Sequence, residues 1–157
     1  MVHENLKGRV AVVTGGGGVL CGDFAKTLAK QGVKVAVLDL NEAAAQKVAD
    51  EIVKEGGVAK AYACNVLNKE ICYNVADEVL KDFGPCDILV NGAGGNNPKA
   101  TTDKEYFEIG DIDADTKSFF DLDADGVGFV FNLNFLGTLI PTQAFARQMV
   151  GRDGCNI

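Results

Sequence analysis

Four consecutive glycines, Gly15 to Gly18, follow the apolar segment 9–14 and precede a stretch with helical spacing at 22–31. Glycine adopts backbone conformations that are closed to other residues and lets the backbone approach a ligand closely. The first N–H groups of a helix are free and carry a partial positive charge, so a glycine turn at this point is typical of a pyrophosphate site. A flexible linker would also be rich in glycine, but the strand and helix on either side argue against it.

Asp39 ends the second apolar segment, at the offset expected of an acid that binds ribose. A carboxylate there accepts hydrogen bonds from both hydroxyls of an adenosine ribose and repels the 2′-phosphate of NADP. Leu40 and Asn41 follow, so no basic side chain comes directly after it. The alternative is an exposed acid at a strand end. Together with the glycine turn, Asp39 predicts NAD as the cofactor.

A second acidic pattern, Asp121 to Gly126, matches the first half of an EF-hand calcium loop. The twelfth position of such a loop requires Glu, and it is Asn132 here. The flanking segments also lack a paired helix pattern. Calcium binding stays as an alternative, but a solvated acidic turn before a helix explains the pattern better, and we expect no metal site.

Strand patterns alternate with amphipathic helix patterns along the chain. The strands are predicted at 9–14, 33–38, 58–64 and 87–91, and the helices at 22–31, 41–55, 68–83 and 126–150. This alternation predicts an α/β fold, a Rossmann-type doubly wound parallel sheet of order 3-2-1-4. We expect residues 1–157 to form one NAD-binding domain, truncated near the start of a fifth strand at 155–157, with 95–125 as an acidic polar lobe near the mouth of the active site.

Composition narrows the class of protein. The formal net charge of −7 disfavours binding to nucleic acid or to an anionic membrane. The five cysteines form no CxxC pair and are odd in number, which argues against a disulfide framework or a structural zinc site and favours a cytoplasmic setting. The polar segment 1–9, which contains the single histidine, His3, is not a signal peptide, and no apolar run is long enough to span a bilayer.

These motifs resemble the short-chain dehydrogenase/reductase family over essentially the whole chain, which corresponds to the N-terminal part of a typical member. Thr14 to Cys21 matches the family turn TGxxxGxG, with Val19 and Cys21 at two glycine positions and Gly22 one residue later. The family's Asp-Val pair after the third strand is Asn65-Val66 here. Its Asn-Asn-Ala-Gly turn after the fourth strand is present as 91–94, with Gly92 in the second position.

The resemblance implies which residues contact NAD. Asp39 corresponds to the acid that binds ribose, Asn65 would bind adenine as an amide, and the turn at 91–94 would lie beside the cofactor. The expected cofactor-binding residues are Gly15, Gly17, Gly18, Val19, Leu20, Asp39, Leu40, Asn65, Val66, Asn91, Gly92, Ala93 and Gly94.

Asn134 corresponds to the Asn of the family's helix motif Asn-Leu-x-Gly, which is 134–137 here. In the family this Asn kinks the helix and holds a water in the proton relay, so Asn134 is the expected catalytic residue. The family's Ser, Tyr and Lys lie at and after the fifth strand. The three tyrosines of this chain are followed four residues later by Val66, Asp77 and Gly110, never by Lys, so the chain by itself is predicted to be inactive.

Three features resemble the D-mannonate oxidoreductase (fructuronate reductase-like) branch: the turn 15–20, the acidic lobe, and 131–134 with its surroundings. That branch implies an NAD-dependent oxidoreductase that interconverts a keto sugar acid and its alcohol. The alternative is a nucleotide-binding module or an inactive fragment. The apolar edge at 88–90 also predicts a homo-oligomer, or completion by a C-terminal portion.

Overall fold

The computed structural model describes residues 3–157, so Met1 and Val2 of the polar N-terminal segment lie outside the described residues. Four parallel strands form one sheet in the order β3-β2-β1-β4. They are β1 (Val10–Thr14), β2 (Lys34–Asp39), β3 (Val58–Ala63) and β4 (Ile88–Asn91). Asn156 forms a parallel bridge with Ile88, in the segment predicted to begin the fifth strand. The predicted doubly wound parallel sheet is confirmed.

The first three helices connect the strands and begin at recognisable caps. They are α1 (Val19–Lys30), α2 (Glu42–Lys54) and α3 (Lys69–Phe83). The side chain of Asn41 accepts a hydrogen bond from Ala44 N at 3.2 Å, and that of Asn68 accepts one from Ile71 N at 3.0 Å. Helix α1 begins three residues before the predicted Gly22, because Gly18 is its extended N-cap. The helix therefore starts directly after the glycine turn.

Apolar side chains cover both faces of the sheet. Successive side chains of a strand point to opposite faces. Val10 and Val12 of β1 belong to a core layer that includes Val79 of α3 and the fully buried Phe145, whereas Ala11 and Val13 belong to the layer packed with α1 and α2. Burial on both faces explains why β1 and most of β2 are continuous apolar runs, whereas the edge strand β3 has several exposed positions.

The helix predicted at 126–150 is three segments in the structure. Helix α4 (Ala124–Phe131) is followed by a π-helical segment (Asn132–Leu136) and then by α5 (Gly137–Ala146). The predicted bounds 126–150 were wrong at both ends, while the interruption at 132–136 contains Asn134, where the family resemblance implied a kink. Asp123 caps α4 two residues earlier than expected, through a bond from Gly126 N of 2.7 Å. Within the part of the chain that the structure describes, no helix is long and apolar enough to cross a membrane.

The lobe at 95–125 consists of short 3-10 turns held by its acidic side chains. The carboxylate of Asp111 accepts from Glu108 N at 2.9 Å and pairs with Lys104 at 2.8 Å, and the Lys104 contact, followed by the Glu108 bond, lowers the pKa of Asp111. Asp121 accepts from both Ser118 N and Ser118 Oγ. Asp121 and Asp123 of the EF-hand-like pattern therefore serve as caps. No group of three or more His, Cys, Asp or Glu side chains in residues 3–157 is arranged to hold a metal ion.

Candidate functional site

A cavity of about 720 Å³ lies where β1, β2 and β4 end. Ligands of doubly wound sheets bind at this carboxyl edge, at the point where the strand order reverses. Eleven of the thirteen predicted cofactor-binding residues line the cavity: Gly15, Gly18, Val19, Leu20, Asp39, Leu40, Asn65, Val66, Gly92, Ala93 and Gly94. The structure thus brings together residues from four separate segments of the chain.

The glycine turn and the turn after β4 contact each other through their backbones. Gly15 has φ +64°, and a Cβ placed on it would lie 2.9 Å from the carbonyl oxygen of Gly92. A Cβ on Gly92 would overlap the Cys21 sulfur and lie 2.9 Å from the Thr14 carbonyl oxygen. Side chains are excluded at both positions. This leaves backbone alone at the floor of the cavity.

Thr14 connects the same two turns. Its hydroxyl oxygen accepts hydrogen bonds from Gly92 N at 3.0 Å and from Ala93 N at 3.1 Å. The residue is fully buried at the end of β1. One hydroxyl therefore fixes the position of the turn after β4 relative to the glycine turn.

Asp39 supports the glycine turn as well as facing the cavity. Its Oδ2 accepts from Gly17 N at 3.0 Å, and its Oδ1 accepts from Asn41 N at 2.9 Å. Each carboxylate oxygen has a further lone pair that can accept from a ligand. Burial and then the charge of Asp39 raise the pKa of the neighbouring Cys21 thiol. The cavity lining contains neither Lys nor Arg, so the carboxylate is the only charged group on this wall within residues 3–157.

Gly17 and Asn91 do not line the cavity, although both were predicted to contact the cofactor. A Cβ on Gly17 would lie 2.7 Å from the Ala44 side chain, so this glycine allows α2 to pack against the turn. Asn91 donates from Nδ2 to Thr142 Oγ1 at 2.9 Å, and its buried Oδ1 has no partner within the described part of the chain. Both residues lie outside the cavity lining and join the cavity-forming turns to neighbouring helices.

Asn134 lies in the π-helical segment and also does not line the cavity, although its neighbour Leu133 does. Its Nδ2 donates to the carbonyl oxygens of Gly95 and Val130, both at 2.8 Å, and its Oδ1 accepts from Gly95 N at 3.2 Å. A π-helical turn alters the regular backbone bonding of a helix, and here the side chain bonds the carbonyl four residues earlier. Asn134 therefore ties the turn after β4 to the helix, and its role in a proton relay stays a prediction.

None of the three tyrosines lines the cavity. Tyr62 is buried in β3 and donates to Asp82 Oδ2 at 2.8 Å; burial, followed by that bond, raises the pKa of the phenol. The ring of Tyr73 lies beneath the cations of Lys69 and Arg147, and Tyr106 is exposed on the lobe. The described residues place no tyrosine where it could protonate a bound substrate.

Sequence reasoning missed five residues of the cavity lining: Cys21, Cys64, Leu67, Phe129 and Leu133. Phe129 and Leu133 are four residues apart, so helical spacing places them on one face. That spacing could have grouped them, but it does not say which partner the face meets. The other three are sequence neighbours of predicted residues and carry no separate signal.

Comparison with known proteins agrees with this geometry. A model of the short chain dehydrogenase family matches residues 9–157. An uncharacterised oxidoreductase of Haemophilus influenzae is 54% identical over 155 residues, covering 99% of this chain and 54% of that protein. An uncharacterised oxidoreductase of Bacillus subtilis is 42% identical over 152 residues, covering 97% of this chain and 54% of that protein.

A solved structure is also similar. The crystal structure of a candidate D-mannonate oxidoreductase from Haemophilus influenzae, with bound NAD, has a TM-score of 0.92 and 55% identity, covering 97% of this chain and 54% of that chain. The chain spans about half the length of the curated relatives it matches. With the family model matching nearly the whole chain, and with the glycine turn, Asp39 and the turn after β4 lining one cavity, the chain belongs to the short chain dehydrogenase family.

Proposed function

We propose that this chain is the NAD-binding domain of an NAD-dependent oxidoreductase. The observation that carries the proposal is the cavity in which the glycine turn, Asp39 and the turn after β4 face one another. Gly15 and Gly92 have no room for side chains, so backbone forms the floor of the cavity beside the first N–H groups of α1, which can meet a phosphate. The related Haemophilus structure with bound NAD supports the same cofactor.

The residues present fit a dinucleotide along the length of the cavity. The first N–H groups of α1 would hold the pyrophosphate, because they have no partner within the helix. The turn 15–18 would let the phosphates approach closely, while its own N–H groups at 16 to 18 are bonded within the protein. Asp39 would accept the hydroxyls of the adenosine ribose, and Asn65 with Val66 would contact adenine. When bound, NAD supplies the group that accepts hydride. The chain's own part is to orient that group and to exclude NADP through the charge of Asp39.

We propose a keto sugar acid and its alcohol as the substrate pair. The support is the similarity to the candidate D-mannonate oxidoreductase. Residues 1–157 would form one NAD-binding domain, with the lobe 95–125 beside the substrate entrance, in a cytoplasmic protein that assembles as a homo-oligomer. Hydride transfer would also require a Ser at the end of the fifth strand and a Tyr-x-x-x-Lys pair, and these 157 residues contain no such pair.

Titration calorimetry with NADH and NADPH tests the cofactor. We expect NADH to bind and NADPH to bind more weakly. Preference for NADPH would contradict the role of Asp39. Binding of neither nucleotide would contradict the proposed function.

An assay of NADH oxidation with keto sugar acids tests the reaction. We expect no turnover by the 157-residue chain and turnover by a longer protein that contains the Ser, Tyr and Lys. A longer protein that binds NADH without reducing any keto sugar acid would favour a nucleotide-binding module instead. Robust turnover by the 157-residue chain would show that the missing residues are not needed.

A further inference from the structure

Two thiols meet at the wall of the cavity and have no part in the proposed function. The sulfur atoms of Cys64 and Cys72 are 3.9 Å apart. Both side chains are buried, and Cys64 lines the cavity directly before Asn65. Both are free thiols.

We propose that Cys64 and Cys72 are an oxidation-sensitive dithiol, which peroxide converts to a disulfide that weakens nucleotide binding. The proposal rests on the proposed function in one respect, that the cavity holds NAD. The disulfide itself can be measured whether or not NAD binds.

The backbone around the pair makes closure feasible. Cys64 directly follows β3, and its N–H donates to the carbonyl oxygen of Asp39 at 2.8 Å. Cys72 lies in the first turns of α3, after the cap Asn68. A disulfide needs an S–S distance of about 2.05 Å, so the two sulfurs must approach by roughly 2 Å. That movement requires rotation of the two side chains together with a shift of the first turn of α3.

The contact between the thiols also provides the reactive form. The hydrogen-bonding contact between the two sulfurs lowers the pKa of Cys72 and, together with burial, raises that of Cys64. Loss of one proton leaves a single proton between the two sulfurs. The pKa directions place the first thiolate mainly on Cys72, and transfer of the shared proton to Cys72 then gives the thiolate on Cys64, the cysteine that lines the cavity.

Peroxide then oxidises the pair in two displacement steps. The Cys64 thiolate attacks one peroxide oxygen, the O–O bond breaks, and hydroxide leaves, so that Cys64 becomes a sulfenic acid. The Cys72 sulfur, after giving up its proton to hydroxide, attacks the Cys64 sulfur and displaces a second hydroxide. In total, two thiols and one hydrogen peroxide become one disulfide and two waters.

The disulfide would change the wall that faces adenine. The Cys72 thiol donates to the carbonyl oxygen of Asn65 at 3.6 Å, and this contact is lost when the sulfur is bonded to Cys64. Residues 65 and 66 then lie inside a closed loop that ends at the two sulfurs. Val66 is buried and lies close to Gly137 of α5, so a shift of the loop would disturb this packing as well. A bound nucleotide would in turn shield Cys64 from peroxide.

Mass spectrometry and nucleotide binding test the proposal together. The purified protein is treated with hydrogen peroxide, its remaining thiols are alkylated, and its peptides are mapped. We expect loss of two hydrogen atoms, a cross-link between the peptides of Cys64 and Cys72, and slower reaction with NADH present. NADH affinity should fall about tenfold, as expected for one lost polar contact plus displaced backbone, and dithiothreitol should restore it.

Matched variants separate this pair from the other cysteines. Cys64→Ser and Cys72→Ser should each abolish the cross-link. Cys72→Ser, at a residue outside the cavity lining, should also keep its own NADH affinity after peroxide treatment. Cys155→Ser, at a half-buried cysteine outside the cavity, should behave as wild type. If a serine variant fails to fold, the peptide map of the wild-type protein still decides which thiols react.

Two outcomes would overturn the proposal. One is peroxide treatment that leaves Cys64 and Cys72 unlinked in the wild-type peptide map. The other is a cross-linked protein whose NADH affinity is unchanged. A reduced protein that binds no NADH would instead contradict the proposed function, while the peptide map would still decide whether the disulfide forms.

Discussion

At the scale of single residues, the site depends on side chains that form hydrogen bonds to the backbone of its two turns. Asp39 holds the glycine turn through Gly17 N and Asn41 N while it faces the cavity. Thr14 holds the turn after β4 through two backbone N–H groups. Because Asp39 and Thr14 already bond the two turns, the turns are held in place, and this would lower the entropic cost of binding the proposed nucleotide.

Asp39→Asn tests the ribose contact. The amide keeps one acceptor oxygen but presents N–H groups toward a backbone N–H, so we expect NADH to bind about tenfold more weakly, as for one lost charge-assisted bond. The preference for NADH over NADPH should narrow, because the repelling charge is gone. Asp77→Asn, at an exposed position of α3 outside the cavity, is the control and should bind as wild type. Unchanged NADH affinity in Asp39→Asn, measured by calorimetry, would contradict the assignment.

Gly92→Ala tests the backbone contact between the two turns. Its Cβ would meet the Cys21 sulfur and the Thr14 carbonyl oxygen, so the free energy of unfolding should fall by about 1–3 kcal/mol in urea denaturation. Gly128→Ala is the matched control, since a Cβ there meets nothing within 4 Å, and it should be neutral or stabilising. Adding Cys21→Ala to Gly92→Ala should recover part of the loss. Equal stability of the two glycine variants would show that the turns can move apart freely.

At the scale of elements, the π-helical segment is the feature that adapts the last helix to the site. Leu133 lines the cavity while Asn134, the next residue, bonds both backbone groups of Gly95. Pro141 in α5 has no N–H, so this helix has a second interruption of its backbone bonds. The segment therefore positions the turn after β4 as well as one wall of the cavity.

Asn134→Ala tests that link. The substitution removes the hydrogen-bond partner of Gly95 N, Gly95 O and Val130 O. Because the Asn134 side chain is exposed, we expect the free energy of unfolding to fall by only about 1–2 kcal/mol. Hydrogen exchange at the Gly95 amide should become faster. Asn132→Ala, at an exposed residue of the same segment, is the control and should leave this exchange rate unchanged. Similar exchange at Gly95 in both variants would mean that Asn134 does not hold the turn.

At the scale of the whole molecule, one buried carboxylate joins the two ends of the described chain. Asp87 Oδ2 accepts from Val10 N at 2.8 Å, and its Oδ1 pairs with Arg152 and, at 3.9 Å, with Arg9. Arg9 also donates to the carbonyl oxygen of Gly154 at 2.7 Å. These contacts place 155–157 beside β4, where Asn156 bonds both Asp87 and Leu89 of the backbone.

Asp87→Asn should therefore destabilise the fold and free the last residues. We expect the free energy of unfolding to fall by about 2 kcal/mol, the size of a hydrogen bond to a charged group in a partly solvated pair. Thermal or urea unfolding measures this loss. The Asn156 amide should also exchange faster. Asp153→Asn, at an exposed position in the turn that precedes 155–157, is the control. It should change neither the stability nor the exchange rate of the Asn156 amide. A fully stable Asp87→Asn protein would show that the two arginines contribute little to holding this edge.

The sequence by itself determined the sheet, its order and most of the cavity lining. Glycine and apolar patterning are local, and parallel strands joined by helices have few possible arrangements, so the sequence alone places Gly15, Asp39 and Gly92 at one edge of the sheet. The tertiary structure decided the rest. That Gly17 packs on Ala44, that Asn91 bonds Thr142, and that Cys64 meets Cys72 all depend on which helix faces lie opposite them. These contacts arise from the tertiary packing of separate elements, and therefore the spacing of residues along the chain does not predict them.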